Sequence, residues 1–412
     1  MKILAKHAQG KILKGDAFQI STAAKNAKKN DPSVIDCTLG IYLNEEHEFK
    51  TFPTVKKYLH NLPDDLVFDY STSDGGLEFA DAVINWVLGS ERQTLEKTAL
   101  IKAIPTPGGT GALNSLVANS LDEGETLLFP NLSWGPYTGI AQNRNLKIEK
   151  YSFFKNNKFN LNGFMESADK IIEREGKLVT IINDPCNNPT GYTLNSEELQ
   201  TIINYINFKN VPTLLIYDAA YLDFAYESRL TIRQRFGLLE RLDANTVVGI
   251  AFSASKSFAA YGQRLGAQIL IGKDQEMVND LYNAANFTAR NNWSNCNKGL
   301  INLIIGMNKD KELKEAYLKE LNGVVGTIKK RSQLFLEQAK AINLITFPYH
   351  GGFFVTIPCK DRDLALELLK NNAKLYLLPF ESSVRVALCS VALNDVDGLA
   401  LRIKQAIGHL QE

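Results

Sequence analysis

The sequence has few cysteines and no grouping of potential metal ligands. Its five cysteines are scattered over 412 residues, with no Cys-x-x-Cys pair and no histidine at ligand spacing. This pattern predicts neither a disulfide framework nor a zinc site, and it fits a reducing compartment. No segment reaches the roughly 18 apolar residues that a membrane span needs. The N-terminus also lacks the apolar core and cleavage site of a signal peptide, so we expect a cytoplasmic protein.

The sequence also lacks an excess of charge of one sign. Its 46 Lys and Arg residues nearly balance 45 Asp and Glu residues, which gives a formal net charge of +1. A strong positive excess is what attracts nucleic acids and anionic membranes. We therefore expect neither as a partner. The length is ample for one large domain and one smaller domain.

Short apolar runs rich in β-branched residues recur through the middle of the chain, at 126–130, 178–184, 213–219, 246–253 and 268–272. Segments with helical spacing or capping signals lie between them, at 111–121 and 196–208. An alternation of buried strands and helices favours an α/β fold with a largely parallel sheet covered on both faces.

The pattern changes after residue 310. Apolar residues recur at helical spacing from Leu313 to Ile342, which predicts a long amphipathic helix. Strand candidates follow at 353–357 and 384–388, and a closing helix is predicted to begin at Asn394. These elements predict a smaller domain packed against the larger one, with a ligand site in the cleft between them.

Lys256 is the most informative residue. It lies just after the run 246–253, in Ser253-Ala254-Ser255-Lys256. Burial disfavours the charged form of a lysine, and a neutral lysine amine is the nucleophile that forms a Schiff base with the aldehyde of pyridoxal phosphate. The alternative is an ordinary solvated lysine at the end of a strand.

Two further motifs suit a phosphate group. Gly109 and Thr110 lie in a glycine-rich turn that leads into an apolar helix. Glycines allow the backbone to approach a phosphate, and the start of a helix offers free N–H groups. Arg264 would supply a bidentate positive charge for the same phosphate. A tight turn and a surface arginine are the alternatives.

Four residues that follow apolar runs suit a flat pyridine ring. Asp218 ends the run 213–219, where a carboxylate would keep a pyridine nitrogen protonated. Tyr221 and Asn188 are placed to reach the ring oxygen, and the indole of Trp134 could stack on the ring. A helix-capping aspartate, a plain turn and a core tryptophan are the alternatives.

Two arginines suit a substrate that carries carboxylates. Arg385 lies in the predicted smaller domain, and Arg290 lies in Thr-Ala-Arg-Asn-Asn-Trp. The planar guanidinium pairs with a carboxylate through two hydrogen bonds. The sequence does not show whether the two arginines converge.

The order and spacing of these motifs resemble the fold-type-I pyridoxal-phosphate aminotransferases, most closely the aspartate and aromatic aminotransferase subgroup. The resemblance runs from Leu39-Gly40-Ile41-Tyr42 to the last helix. It implies the three-layer fold of the pyridoxal-phosphate-dependent transferases, with a mostly parallel seven-stranded sheet in a large domain at 46–308. A smaller α+β domain would combine 1–45 with 309–412.

The resemblance also implies a role for each motif residue. The cofactor, pyridoxal 5'-phosphate, would contact Lys256 (Schiff base), Asp218 (pyridine nitrogen), Asn188 and Tyr221 (ring oxygen), Trp134 (stacking), and Gly109, Thr110, Ser253, Arg264 and Tyr70 (phosphate). Lys256, Asp218 and Tyr221 would be the catalytic residues. The substrate would contact Arg385 (α-carboxylate), Arg290 (distal carboxylate), Gly40 and Asn188. Because Tyr70 and Arg290 would come from a neighbouring subunit, the resemblance implies a homodimer.

The chain departs from the family pattern near Asp218 and Trp134. Tyr137 and Asn183 match positions where relatives often carry histidines, and Leu132 replaces the proline that usually precedes Ser-Trp. The resemblance implies transfer of an amino group between an L-amino acid, aspartate, glutamate or aromatic, and a 2-oxo acid such as 2-oxoglutarate.

Three alternatives to transamination stay open. The first is a pyridoxal-phosphate-dependent β-lyase or decarboxylase on the same scaffold. The second is an acyl-enzyme that uses the Ser-x-x-Lys at 253–256, although the accompanying Ser-Asp-Asn and Lys-Thr-Gly motifs are absent. The third is a regulatory domain that binds the cofactor without turnover.

Overall fold

The computed structural model describes residues 3–5, 8–12 and 17–411. Parts of the N-terminal segment that the sequence assigns to a smaller domain, residues 1, 2, 6, 7 and 13–16, lie outside the described residues, as does residue 412. Among the described helices, none combines the length and the apolar character that crossing a bilayer requires.

The strands follow one another along the chain as β1 (Ile35–Asp36), β2 (Leu100–Thr106), β3 (Thr126–Pro130), β4 (Lys147–Tyr151), β5 (Phe154–Lys155), β6 (Lys158–Phe159), β7 (Leu178–Asn183), β8 (Thr213–Asp218), β9 (Thr246–Ser253), β10 (Gly266–Gly272), β11 (Phe354–Pro358), β12 (Leu375–Tyr376), β13 (Leu378–Phe380) and β14 (Ser383–Ala387).

The helices are α1 (Ala17–Asn30), α2 (Pro53–His60), α3 (Gly76–Leu88), α4 (Glu91–Leu95), α5 (Gly108–Ala118), α6 (Pro136–Asn143), α7 (Leu161–Glu175), α8 (Ser196–Lys209), α9 (Arg229–Gln234), α10 (Ala254–Ser257), α11 (Gln275–Asn292), α12 (Lys298–Lys309), α13 (Lys311–Ala341), α14 (Arg362–Ala373), α15 (Leu393–Val396) and α16 (Leu399–Ile407).

Seven of the strands form one sheet in the order β2-β10-β9-β8-β7-β3-β4. β10 runs antiparallel to β2 and β9, whereas the pairs from β9 to β4 are parallel. The predicted α/β class with a mostly parallel seven-stranded sheet is confirmed. The five strands that the apolar runs predicted are β3, β7, β8, β9 and β10.

Alternate side chains of the sheet enter two different hydrophobic layers. Leu128 and Ile182 pack into a cluster that includes residues of α3, α7 and α8. Their neighbours Leu127 and Ile181 pack into a second cluster with residues of α5, α6 and α11. Since successive strand residues point to opposite faces, both faces of the sheet are covered, which gives the expected three layers.

α8 begins where the sequence predicts, at Ser196, and its first turn is closed by a capping box. Asn195 Oδ1 accepts a hydrogen bond from the backbone N–H of Glu198 at 2.9 Å. Glu198 Oε2 accepts one from the backbone N–H of Asn195, also at 2.9 Å. Two N–H groups that the helix itself cannot satisfy are thereby paired.

A third hydrophobic cluster lies around the antiparallel sheet β11-β14-β13. α14 and α16 contribute to this cluster, and β1 joins it by pairing in parallel with β12. α13 spans both regions, since Tyr317 belongs to the cluster with α3 and Phe335 to the cluster of β11-β14-β13. The predicted long helix therefore connects two cores.

The closing helix differs from the prediction of a single element that begins at Asn394. The chain forms a short helix, α15, and then α16, because Gly398 adopts a left-handed φ of 78° between them. Glycine takes this conformation without a steric penalty. The break separates the two helices.

The Arg331 side chain, in α13, hydrogen-bonds both the segment after β1 and the turn after β14. Its side chain is fully buried. It donates to the carbonyls of Leu43 and Cys389, each at 2.9 Å, and to the Glu45 carboxylate at 2.7 Å. Leu43 and Glu45 lie near the N-terminus of the sequence and Cys389 lies near its C-terminus. Arg331 therefore links the two terminal parts of the chain.

We expect Arg331→Leu to lower the free energy of unfolding by about 3 kcal/mol, because it leaves buried carbonyls without donors. Chemical denaturation of the variant measures the change. The neighbouring exposed Lys330 provides the control variant Lys330→Leu, which should change stability little. Equal stability of the two variants would show that the Arg331 contacts do not hold the termini together.

Candidate active site

The parallel strands β7, β8 and β9 end at the same edge of the large sheet. In their register Asn183 pairs with Asp218, and Asp218 pairs with Ala251. Lys256 follows β9 directly, in the short helix α10. The carboxyl ends of parallel strands are where open α/β sheets bind ligands, so this edge is the candidate site.

Three aromatic rings lie near the Lys256 amine. Its Nζ donates to the backbone carbonyl of Gly40 at 2.7 Å. The ring centroid of Tyr261 lies 4.8 Å from Nζ, and those of Tyr221 and Phe353 lie 5.7 Å away. Burial lowers the pKa of the Lys256 amine to about 8. The amine of Lys256 therefore loses its proton more readily than that of an exposed lysine.

Asp218 is buried, and its carboxylate is held by two donors. The Tyr137 hydroxyl donates to Oδ2 at 2.5 Å, and the backbone N–H of Ala220 donates to Oδ1 at 3.1 Å. Burial raises the pKa of Asp218 to about 6, and the Tyr137 hydrogen bond opposes this rise. The two donors favour the ionised form without supplying a positive charge.

Asn183, the second position where relatives often carry histidine, also contacts Asp218. Its Nδ2 donates to the Asp218 carbonyl at 2.9 Å. Its Oδ1 accepts from the backbone N–H of Asn188 at 2.7 Å. Asn183 thus links the end of β8 to the turn that carries Asn188.

The glycine-rich turn, the start of α5 and Arg264 lie together in the folded chain. A Cβ added to Gly108 would lie 2.3 Å from Arg264 Nη2, and one added to Gly109 would lie 3.2 Å from the Cβ of Ser253. Arg264 Nη1 also donates to Ser255 Oγ at 3.0 Å. Thr110 follows in the first turn of α5. The free N–H groups of that turn, together with the guanidinium, suit an anion.

Arg385 and Asn188 meet although 197 positions separate them. Arg385 Nη1 donates to Asn188 Oδ1 at 2.7 Å, and Nη2 donates to the Thr38 carbonyl at 2.5 Å. The guanidinium stacks on Phe354 at 3.9 Å. Within the described residues its buried Nε has no hydrogen-bond partner. Burial lowers the pKa of Arg385 to about 10, and the charged group is available to a carboxylate.

Tyr221 and Trp134 lie close to these groups. Tyr221 is buried, and its ring packs edge-on against Phe353 at 5.2 Å. Trp134 is partly buried and packs edge-on against Tyr137, with ring centroids 5.6 Å apart. Because Tyr137 donates to Asp218, Trp134 is connected to the buried carboxylate through one ring.

The structure does not bring Tyr70 and Arg290 among the groups around Lys256. Tyr70 is 81% exposed, and Arg290, also exposed, donates to Ser294 at 3.1 Å. The loop that carries Tyr70 does pack on α11, which carries Arg290, since Ser73 Oγ hydrogen-bonds Asn286 at 2.7 Å. The loop that carries Tyr70 and the helix that carries Arg290 are therefore in contact.

Three neighbours of the site were not predicted from the sequence. Tyr261 lies beside Lys256 and was detectable, because it follows that lysine by only five residues. Phe354 stacks on Arg385, and Cys389 donates from Sγ to the Leu39 carbonyl at 3.6 Å. Neither residue type carries a local signal for such a contact.

Comparison with known proteins identifies the family. Residues 32–403 match the family model described as aminotransferase class I and II. The chain belongs to this family. It is a pyridoxal-phosphate-dependent aminotransferase, as the sequence predicts.

The chain is similar to known aminotransferases in sequence and in structure. The chain is 25% identical to the aromatic-amino-acid aminotransferase of Pseudomonas aeruginosa, with 73% of this chain and 74% of the relative covered. It is 26% identical to the aspartate aminotransferase of Escherichia coli, with 76% and 78% covered. The crystal structure of an aminotransferase from Anaerococcus prevotii superposes with a TM-score of 0.94 at 30% identity, over 100% of both chains.

Two observations indicate that the groups at the sheet edge can hold pyridoxal phosphate. The space beside Gly108 and Gly109 would be filled by a Cβ, and it faces Arg264 and the N-terminus of α5, as an anion requires. Among the described residues, those that donate to the buried Asp218 carboxylate are neutral, so a protonated pyridine nitrogen would pair with it favourably.

We expect Tyr137→Phe to raise the pKa of Asp218 by about one to two units, because it removes a hydrogen bond to the ionised carboxylate. Activity that depends on that carboxylate should then fall between pH 6 and 7.5 and recover at higher pH. The pH profile of kcat/KM measures this shift of the acid limb.

A tyrosine in a similar hydrogen bond serves as the control for Tyr137→Phe. Tyr205 donates to Asp169 at 2.6 Å on the outer helices α8 and α7. Tyr205→Phe should leave the acid limb in place. An unshifted acid limb in Tyr137→Phe would contradict the inference that Tyr137 favours the ionised form of Asp218.

Proposed function

We propose that this aminotransferase moves an amino group from L-aspartate, L-glutamate or an aromatic L-amino acid to a 2-oxo acid such as 2-oxoglutarate. The convergence of Lys256, Asp218 and the Arg385–Asn188 pair at one sheet edge carries the proposal. The names of the relatives, aspartate and aromatic-amino-acid aminotransferases, support this choice of substrates.

The proposed cofactor contacts follow the groups described above. We assign the phosphate to Gly109, Thr110, Ser253 and Arg264, the pyridine nitrogen to Asp218, the ring oxygen to Asn188 and Tyr221, the ring face to Trp134, and the covalent attachment to Lys256. The phosphate contacts are supported by the glycine cradle, and the nitrogen contact by the buried carboxylate.

Bound pyridoxal phosphate supplies an aldehyde carbon and an electron-withdrawing ring. Lys256 Nζ then acts on the substrate, accepting the proton of its α-carbon once the amine is free. A pKa of about 8 suits this work, because an acid–base group is most effective near the working pH. The rings of Tyr221, Tyr261 and Phe353 limit access of water to the amine.

Arg385 and Asn188 orient the substrate. Nε of Arg385 lacks a partner within the described chain, and Nη1 is directed to Asn188 Oδ1. A substrate α-carboxylate can accept hydrogen bonds from two N–H groups of the Arg385 guanidinium in the bidentate geometry that this group favours. Gly40, whose carbonyl accepts from Lys256, lies beside the same carboxylate site in this proposal. The α-carbon is thereby held near the amine.

We further propose a homodimer in which Tyr70 contacts the phosphate of the partner site and Arg290 contacts the distal carboxylate of the partner's substrate. The two residues lie on elements that pack against each other. Large apolar side chains are exposed on these two elements and at the start of α3, with Phe68 and Tyr70 both at 81%, Phe287 at 73% and Leu77 at 89%. Such a concentration of apolar surface is typical of a protein–protein interface.

The domain division is proposed as a large domain at 46–308 and a smaller one at 1–45 and 309–412. The separate core around β11-β14-β13, which includes residues of β1, supports this division. We propose a cytoplasmic location. The five cysteines are free and buried, and one relative is named as the cytoplasmic aspartate aminotransferase of Dictyostelium discoideum.

The visible spectrum of the purified protein tests the proposed reaction. We expect a yellow protein with pyridoxal phosphate, whose visible band bleaches on addition of aspartate or tyrosine, and less with alanine. The band should return when 2-oxoglutarate is added. A band that no amino acid changes would contradict the proposed substrates.

Arg290→Leu tests the role of the second arginine. Because a charge-assisted hydrogen-bonded pair contributes about 1.5–3 kcal/mol, we expect kcat/KM for aspartate to fall about ten- to hundredfold. The value for phenylalanine should change little. Arg362→Leu, at an exposed position of α14, is the control. Unchanged aspartate kinetics would remove Arg290 from the substrate site.

A further inference from the structure

Asn183 is the last residue of β7, and its buried side chain hydrogen-bonds two residues of the site. Its Nδ2 donates to the Asp218 carbonyl at 2.9 Å, and its Oδ1 accepts from the backbone N–H of Asn188 at 2.7 Å. Because a carbonyl only accepts and an N–H only donates, a single orientation of the carboxamide satisfies both partners. Asn183 therefore joins the strand that carries Asp218 to the turn that carries Asn188.

The two partners of Asn183 do not depend on it equally. The Asp218 carbonyl also accepts from the backbone N–H of Asp184, at 3.1 Å. The Asn188 N–H has Asn183 Oδ1 as its one acceptor among the residues that the structure describes. Asn188 is buried, and a buried N–H without an acceptor is costly. The position of the Asn188 backbone therefore depends on Asn183 more than the position of Asp218 does.

The turn between β7 and α8 is closed by hydrogen bonds of its own. Asp184 Oδ1 accepts from the backbone N–H of Leu194 at 2.7 Å, and Asn187 Oδ1 accepts from the Thr190 hydroxyl at 2.9 Å. These bonds fix the shape of the turn, but neither of them ties Asn188 to the large sheet. The bond from the Asn188 N–H to the end of β7 supplies that attachment.

The Asn188 side chain contacts the substrate arginine of the proposed function. Its Oδ1 accepts from Arg385 Nη1 at 2.7 Å. The proposed function assigns the ring oxygen of the cofactor to the same residue, and the amide nitrogen is the donor that remains for it. A displaced Asn188 backbone would therefore disturb the orientation of the Arg385 guanidinium.

We propose that Asn183 is a positioning residue for the substrate site. Its carboxamide holds the Asn188 backbone where the Asn188 side chain meets the Arg385 guanidinium. This inference rests on the proposed function, because it takes Arg385 and Asn188 as the residues that orient the substrate carboxylate. Its consequence is that loss of the Asn183 carboxamide weakens substrate binding although Asn183 acts only through Asn188.

Hydrogen–deuterium exchange of the Asn188 amide, in the protein loaded with pyridoxal phosphate, tests the proposal without a measurement of activity. Asn183→Leu keeps the approximate size of the side chain but offers no acceptor. We expect the Asn188 amide to exchange about tenfold faster in this variant, because its hydrogen bond is lost. Asn183→Asp retains an acceptor oxygen and should keep the slow exchange of the wild type.

Two exchange results would contradict the proposal. An Asn188 amide that exchanges at the wild-type rate in Asn183→Leu would show that Asn183 does not hold the turn. Equally fast exchange in Asn183→Leu and Asn183→Asp would show that the acceptor oxygen is not the group that holds it. If Asn183→Leu does not fold, Asn183→Ala gives the same comparison, because it removes both hydrogen-bonding groups without adding apolar volume.

Steady-state kinetics test the consequence for the substrate. The substrate carboxylate does not react, so its binding contributes similarly before and during the reaction. We therefore expect Asn183→Leu to raise KM for aspartate about tenfold, with a smaller change in kcat. A fall in kcat at unchanged KM would overturn the proposal, because the effect would then lie at the reacting groups.

Thr180 provides a matched control on the same strand. It is also buried in β7, three residues before Asn183, and its hydroxyl donates to the Leu128 carbonyl at 3.2 Å. Thr180→Val removes this buried hydrogen bond, so it should lower stability but leave KM and the exchange of the Asn188 amide unchanged. Equal rises of KM in Thr180→Val and Asn183→Leu would indicate a general effect on β7 and would contradict a positioning role.

The wild-type protein separates this inference from the proposed function. A visible band that no amino acid bleaches would overturn the proposed function and this inference together. Normal bleaching of the wild type, with unchanged exchange of the Asn188 amide in Asn183→Leu, would overturn this inference alone.

Discussion

The burial of Asp218 at the end of β8 is the constraint on which the rest of the site depends. A buried carboxylate is costly unless donors or a positive charge satisfy it. Here a phenol and a backbone N–H satisfy it only in part, and its pKa is raised to about 6. A cationic partner would therefore stabilise the carboxylate, and the ends of β7 and β9 lie beside it in the sheet.

The central strands could be predicted from the sequence, whereas the edge strands could not. β7, β8 and β9 are buried on both faces, so they appear as continuous apolar runs. β2 and β4 lie at the two edges of the sheet, and each contains exposed or half-exposed polar residues such as Lys102 and Lys147. Their order in the sheet depends on pairings between distant segments, which no local pattern contains.

The candidate site likewise contains residues that local sequence patterns predict and contacts that they do not. Lys256, Asp218 and the turn at Gly109 could be predicted because each lies within a few residues of a strand end or a helix start. The contacts of Lys256 with Gly40 and of Arg385 with Asn188 join residues 216 and 197 positions apart. The sequence marks Tyr137 as a position where relatives often carry histidine, but its hydrogen bond to Asp218 depends on the folded chain. Tyr70 and Arg290 remain predictions, since one chain alone leaves both on the surface.

The pairing of β1 with β12 sets the order in which the protein can be assembled during its synthesis. The large sheet is complete once residue 272 has been made, but Ile35 must wait for Leu375. Thr38 and Gly40 lie just after β1, so they can reach the site only when the last tenth of the chain has left the ribosome. A chain that ends before β12 lacks the partner of β1 and also lacks Arg385, which contacts Thr38 in the folded protein. Shortening the chain at either end therefore removes the same pair of strands, β1 and β12.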